Sequence, residues 1–426
     1  MIFIFPDCLD YIDPDYDFQT DTYTPGRTPY WDDQFPHEFM DSPPYDGVLV
    51  SRAIVGDHLY AGKYTESQGQ RFRLHGARTF LRYEEASYPG SLVFGDCGAF
   101  QYHDLEVPPY TPDDMLEFYD DGMFTHGCSV DHIIFDLDSA YDQGKDVPEE
   151  HIRRQAITLE NAERFFKGAM PMGKYFQPLG VVQGWSPGSM ASMAENLVKM
   201  GYNYLALGGL VPASVKDIHQ VLDAVRCKVP YDTKIHILGF AKANYLHEFL
   251  RYNITSIDTT SPFIRAFKDG KQNYWTREGD KVGHYTAIKI PQVHANNSLK
   301  NMIRMGVFTQ EFVIEKEQNA LQALWAYGAG KLDMESALGA VREYTRIALW
   351  ADNADDTTLK RKTDRLMDLY RDTLYSRPWD RCNCRVCREI GVNVVIFRAS
   401  NRNKRRGFHN LHIFNNYMKN VLMETT

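Results

Sequence analysis

Short runs of apolar residues recur along the chain at 47–54, 91–94, 132–135, 179–182, 204–207, 235–238 and 254–257. Each has the length of a buried strand, and none approaches the roughly 18 apolar residues of a membrane helix. Between several of them the hydrophobic period lengthens. Residues 148–167 set charged and apolar side chains at helical spacing, 189–200 are rich in Ala, Met and Leu, and 213–226 open on Ser214, a good helix cap. Buried strands alternating with amphipathic helices predict a parallel α/β fold. With no dinucleotide fingerprint at the first turn, this series favours a (β/α)8 TIM barrel, its remaining strand placed at 79–83. Residues 1–5 are apolar and run into Pro6, so they read as a short strand and not as a signal peptide.

From about 309 to 375 the pattern becomes helical, rich in Ala, Leu, Glu, Lys and Arg and free of Pro. Three segments are expected: a lead-in and barrel over 1–308, a helical insertion over 309–375, and a cysteine-bearing subdomain with a closing helix over 376–426. No internal repeat or low-complexity segment interrupts them.

Composition adds the charge balance. Among 426 residues, 47 basic and 56 acidic side chains leave a net charge of −9, and 43% of residues are hydrophobic. That excludes a generally basic nucleic-acid coat protein and a disordered chain. The charge is unevenly placed. Residues 1–50 carry eleven acids and one base, Arg27, whereas no acid stands between Glu389 and Glu424. Arg398, Arg402, Lys404, Arg405 and Arg406 fall in that second region, which is expected to form a cationic loop able to grip phosphates.

Polar residues sit where the apolar runs end. The run at 91–94 leads into Asp96, that at 132–135 into Asp136, and that at 179–182 into Gln183-Gly184. The run at 204–207 leads into Gly208-Gly209-Leu210, and that at 254–257 into Asp258. In a parallel barrel these strand ends open on one face, the face that carries chemistry. Carboxylates meeting in a partly dry pocket have their pKa values pushed apart, which lets one attack while another handles protons. Bare backbone at Gly208-Gly209 admits a flat, polar-edged ligand such as a purine. Taken singly, each Asp could equally cap a helix. Their recurrence at five strand ends favours a site.

Seven cysteines, three of them at Cys382, Cys384 and Cys387, fit a reducing compartment and a metal site better than a disulfide frame, with the cytoplasm as the expected location. Three thiolates with one histidine, His409 preferred over His412 though the spacing alone does not decide, would supply a closed tetrahedral structural zinc site. Cys97, beside Asp96, has no histidine near it in sequence and reads as a packing residue.

These residues resemble a family. Asp96-Cys-Gly-Ala-Phe-Gln is similar to the Asp-Ser-Gly-Gly-Phe-Gln motif of tRNA-guanine transglycosylases. Val-Val-Gln183-Gly184, Gly208-Gly209-Leu210, Asp258 followed by Pro262, and Cys-x-Cys-x-x-Cys with His-Asn follow in that family's order, spanning roughly residues 47–420. The resemblance implies a zinc-bearing barrel that swaps a guanine in nucleic acid for a 7-deazaguanine base. It implies Asp258 as nucleophile at C1′ and Asp96 as general acid and base. Asp136, Gln183, Gly184, Gly208, Gly209, Leu210 and Phe100 would form the base pocket, and Arg265 with the 398–406 run would contact nucleic acid. Ala99 replaces a family glycine, and Val211-Pro212 is closer to the archaeal type, whose free base is preQ0. The opening, Phe5-Pro-Asp-Cys-Leu-Asp and Pro43-Pro-Tyr-Asp-Gly-Val, resembles the DpdA branch, which acts on DNA. The same exchange on tRNA, or a catalytically silent barrel that only binds nucleic acid, are the other readings. A helper ATPase and a homodimer are compatible partners, and no membrane is expected.

Overall fold

The computed structural model describes residues 1–59, 61–240, 242–279, 281–350 and 355–423. The chain divides into two compact units: one comprises residues 1–9, 45–260 and 418–426, the other 10–44 and 261–417.

The first unit is a closed barrel of eight parallel strands, each bonded to its neighbours in chain order. The strands are β1 Ile2–Pro6, β2 Gly47–Ser51, β3 Leu92–Asp96, β4 His126–Cys128, β5 Gln177–Val182, β6 Tyr204–Leu207, β7 Lys234–Ile237 and β8 Ser256–Asp258. Ile4, Leu49, Phe94, Cys128, Leu179, Val181, Tyr204 and Ala206 pack into one buried cluster. The helices Glu149–Ala169, Pro187–Met200 and Val215–Lys228 lie where the helical periodicity placed them. Ser214 caps the last of these, its hydroxyl accepting from the Asp217 amide.

Two strands differ from the expected set. The barrel is closed by the N-terminal run, with Ile2 beside Ser256, Ile4 beside Asp258 and Ile4 also beside Gly47. Residues 79–83 instead lie at and beyond the end of helix Glu66–Phe80. The fourth strand is His126–Cys128, and 132–135 is not a strand. The reason lies in the hydrogen bonds. Past Ser129, side chains take over the work of the ladder: the Ser129 hydroxyl accepts from the Val181 amide at 3.0 Å, the His132 amide donates to Thr158 Oγ1 at 3.0 Å, and the Ile134 amide donates to Gln183 Oε1 at 3.2 Å. Satisfied in this way, the segment can be buried without pairing as a strand.

The second unit contains helices Gln310–Gly328, Met334–Trp350 and Asp356–Ser376, as the 309–375 pattern predicts. It also holds an antiparallel hairpin, Tyr274–Glu278 with Lys281–Tyr285, and the cysteine cluster. Among the described residues, no helix is long and apolar enough to cross a membrane.

Candidate active site

The barrel brings Asp96, Asp258, Gln183 and Gly208-Gly209 to the C-terminal ends of its strands, whereas Asp136, expected at a strand end, lies beyond the non-strand segment that follows β4. Asp96 is the last residue of β3 and Asp258 the last of β8, while Gln183 follows β5 directly and Gly208 follows β6. Asp258 is buried, and its Oδ1 accepts from the Gly239 amide at 2.9 Å and faces His236 Nε2 at 3.1 Å. Asp96 is half-buried as a residue, but its Oδ1 is sealed from solvent without a hydrogen-bond partner among the described residues. Burial pushes its pKa up to about 7, the Ser51 hydroxyl opposes that shift, and the charges of Asp258 and Asp131 reinforce it. Asp96 therefore exchanges a proton near neutrality while sitting in the field of two further carboxylates.

One of those carboxylates is a residue that the sequence reading missed. Asp131 is buried, with Oδ2 accepting from Gln183 Nε2 at 2.7 Å and Oδ1 accepting from the Cys97 thiol at 3.2 Å. Burial raises its pKa, and those two hydrogen bonds restrain the rise. The Tyr102 hydroxyl donates to Cys97 Sγ at 2.8 Å. Burial, then the adjacent charge of Asp131, holds the Cys97 thiol well above its usual range, so it stays protonated, as a packing residue would. The signal for Asp131 was the apolar stretch around it: a carboxylate inside Ser129–Ile134 has to be satisfied by buried donors.

Gln183 is anchored at both ends, to Asp131 and to the Ile134 amide. Gly208 and Gly209 lie against its carboxamide. A Cβ on Gly208 would stand 2.3 Å from Gln183 Nε2, and one on Gly209, at φ +74°, would stand 2.5 Å from the Ile134 carbonyl oxygen. Both glycines are therefore required by space, and the second also by backbone conformation. Leu210 is buried beyond them, and Gly184 packs against Met190.

Asp136 and Phe100 are exposed. The Tyr141 hydroxyl donates to Asp136 Oδ2 at 2.5 Å. Phe100 meets Phe135, the neighbour of Asp136, edge to face at 5.7 Å, with His103 at 5.9 Å. An exposed aromatic face and an exposed carboxylate edge thus occur together, the pair of surfaces a flat heterocycle uses.

The cationic loop is corrected. From Ser400 the segment is helical, starting helix Ser400–Met423, and Arg398, just before it, and Arg402, Arg405 and Arg406 within it are each 5% exposed or less. Arg398 pairs with Asp21 and with Glu317, and Arg402 pairs with Asp21 and donates to the Phe18 carbonyl. Arg405 donates to the carbonyls of Asp13 and Pro14, Arg406 to those of Ala266, Val394 and Ile396, and Lys404 to that of Tyr11. The acidic lead-in and the basic run, far apart in sequence, neutralise and hydrogen-bond each other within the second unit. Burying a guanidinium costs far more than exposing it unless every donor is matched, and here carbonyls and carboxylates match them. Arg265 is half-buried and forms no ion pair among the described residues.

Also in the second unit, one ligand atom each from Cys382, Cys384, Cys387 and His409 lies within 4.8 Å of the others, a set that could hold a metal ion. His409 Nε2 donates to the Trp275 carbonyl at 2.8 Å, which leaves Nδ1 to face the sulfurs, and Tyr274 stacks on the ring at 4.2 Å. His412 lies outside the cluster, its Nε2 accepting from Asn416 at 2.9 Å.

A closed parallel barrel with buried carboxylates gathered at its C-terminal strand ends defines a barrel enzyme. No family model matches the chain. A protein of Salmonella montevideo named DNA-guanine transglycosylase is 39% identical over 423 residues, 99% of this chain and 97% of that protein. The chain belongs to the DNA-guanine transglycosylase family.

Proposed function

We propose that this chain exchanges guanine in DNA for a 7-deazaguanine base such as preQ0, by way of a covalent ester on Asp258. The observation that carries the mechanism is the state of the two carboxyls. Asp258 is held through one oxygen only, and Oδ2 has no hydrogen bond among the described residues, while Asp96 has a pKa of about 7 and feels the charge of Asp258.

In the first displacement, an Oδ2 lone pair forms the bond to C1′. The C1′–N9 bond breaks, and guanine leaves with a proton supplied by Asp96. In the second, Asp96 takes the N9 proton of the incoming base, whose nitrogen attacks C1′ and returns the ester electrons to Oδ2. Splitting one displacement into two in this way is nucleophilic catalysis. Asp136, Gln183 and the Gly208-Gly209 backbone read the base edge, and Phe100 stacks on its face. A target inside a duplex must first be flipped out, at a cost of a few kcal/mol.

The metal is zinc in this reading. Zn–S bonds of about 2.3 Å and Zn–N bonds of about 2.0 Å in a tetrahedron give S···N edges of roughly 3.5 Å. The three sulfurs lie 3.6, 3.4 and 3.4 Å from His409 Nδ1. With four protein ligands the ion supplies folding energy and takes no part in the reaction.

Incorporation of radiolabelled guanine or preQ0 into duplex DNA and bulk tRNA, assayed in parallel, tests the proposal. Label in DNA alone is expected. Label in tRNA alone would transfer the activity to the other polymer, and release of guanine without incorporation would make the protein a hydrolase.

A further inference from the structure

We infer that His236 is a positioning residue for the nucleophile, held in its orientation by Ser256 and Tyr204, so that Asp258 is held by one oxygen while the other is left to attack. This rests on the reading of Asp258 as nucleophile given above. The three residues come from adjacent strands β6, β7 and β8, and His236 stands beside Ser256 in the ladder. Tyr204 is 2% exposed and His236 and Ser256 are 0% exposed. Tyr204 Oη lies 2.7 Å from Ser256 Oγ, Ser256 Oγ 2.6 Å from His236 Nδ1, and His236 Nε2 3.1 Å from Asp258 Oδ1.

The direction of the chain follows from its end. An ionised Asp258 only accepts, so Nε2 carries the proton. A neutral imidazole then has its lone pair at Nδ1, which accepts the Ser256 hydroxyl proton. Ser256 Oγ in turn accepts from the Tyr204 hydroxyl. Every donor in the buried chain is used once, and reversing the tautomer would set a lone pair against a carboxylate.

The chemical consequence is specific. The Gly239 amide and His236 Nε2–H converge on Oδ1, which fixes the carboxylate plane and leaves the Oδ2 lone pair unencumbered. Once the ester has formed, Oδ1 is its carbonyl oxygen, and the same two donors draw charge from it. That eases return of the electron pair when the incoming base displaces the carboxylate.

The alternative is that His236 merely fills space against Phe94, whose ring lies 5.4 Å away. His236→Phe, His236→Gln, Ser256→Ala and Asp258→Asn, each in the full chain, separate the two roles through guanine exchange in duplex DNA. His236→Phe keeps a ring but no donor, and should lower kcat by about 10- to 100-fold, the loss of one hydrogen bond to a charged group, with KM for the free base unchanged. His236→Gln, which restores an N–H, should recover much of that loss. Ser256→Ala removes the hydroxyl that holds Nδ1 and leaves the ring less firmly oriented toward Asp258 Oδ1. Its kcat should therefore fall by up to about 10-fold, the weight of one neutral hydrogen bond, with KM for the free base unchanged. His236→Phe within twofold of the parent would overturn the inference. If His236→Phe does not fold, a Ser256→Ala variant with the parent's kcat would overturn it just as well. Persistent exchange by Asp258→Asn would instead remove the nucleophile assignment itself, a distinguishable failure.

Discussion

Asp131 accepts a hydrogen bond of 2.7 Å from Gln183 in a pocket where both side chains are buried. That bond orients the carboxamide, because Gln183 Oε1 is taken by the Ile134 amide and Nε2 must face the carboxylate. Asp131 has two donors to satisfy, the Gln183 amide and the Cys97 thiol. An Asn there has a single acceptor oxygen and would turn its own N–H toward one of them. Asp131→Asn is expected to raise KM for the free base by about 10- to 100-fold, the weight of one charged hydrogen bond, while leaving the fold intact. Steady-state kinetics against free-base concentration checks this, and a change confined to kcat would place Asp131 in a different role.

Asp96 links the site to stability. Its folded pKa of about 7 lies above the ordinary carboxyl value, so between roughly pH 4 and pH 7 the folded protein holds a proton that the unfolded chain has lost. Stability contributed by this group is thus present at low pH and lost as pH rises through 7. Asp96→Asn should stabilise the protein at pH 8 by up to about 4 kcal/mol and change little at pH 4, while abolishing exchange. Urea unfolding at both pH values tests the sign, and equal effects at the two would show that ionisation is not the cause.

In the second unit, Asp21 is the shared partner of Arg398 and Arg402, and all three side chains are at most 4% exposed. Asp21→Ala leaves two buried guanidiniums short of an acceptor and is expected to cost about 3–5 kcal/mol. Because these arginines are enclosed, Arg402→Met should leave the salt dependence of DNA binding unchanged. A phosphate contact would reduce the slope of log affinity against log salt by about 1.

Removing the zinc proposed for the Cys382, Cys384, Cys387 and His409 cluster is expected to act on folding alone. Closed four-ligand zinc sites contribute roughly 10 kcal/mol or more of binding energy in small domains. Chelation, or Cys387→Ser, should lower Tm markedly. Protein that stays folded should retain its exchange rate per folded molecule. Metal analysis alongside calorimetry reads this out, and loss of activity in fully folded, metal-free protein would give the ion a direct role.

Much of this protein was legible along the chain because barrel strands are local. A run such as 204–207 is apolar at every position since both of its faces are covered, and Tyr204–Leu207 emerged with those bounds. The strand-end rule located Asp96, Asp258, Gln183 and Gly208-Gly209, and the cysteine spacing located three members of a cluster that could hold a metal ion, because each depends on a few neighbouring residues. Only tertiary structure could decide which partners distant groups would find. Closure of the barrel by residues 2–6 depends on a ladder to Ser256–Asp258. The replacement of a strand at 132–135 by side-chain hydrogen bonds depends on Thr158 and Gln183. His236, lying between Ile235 and Ile237, was masked by its apolar neighbours until β8 brought Asp258 beside it. The basic run shows the limit most clearly. Charge along a sequence gives sign and density, but whether an arginine meets a phosphate or a buried aspartate is settled by what packs over it. Here that was Asp21, some 380 residues away in the chain.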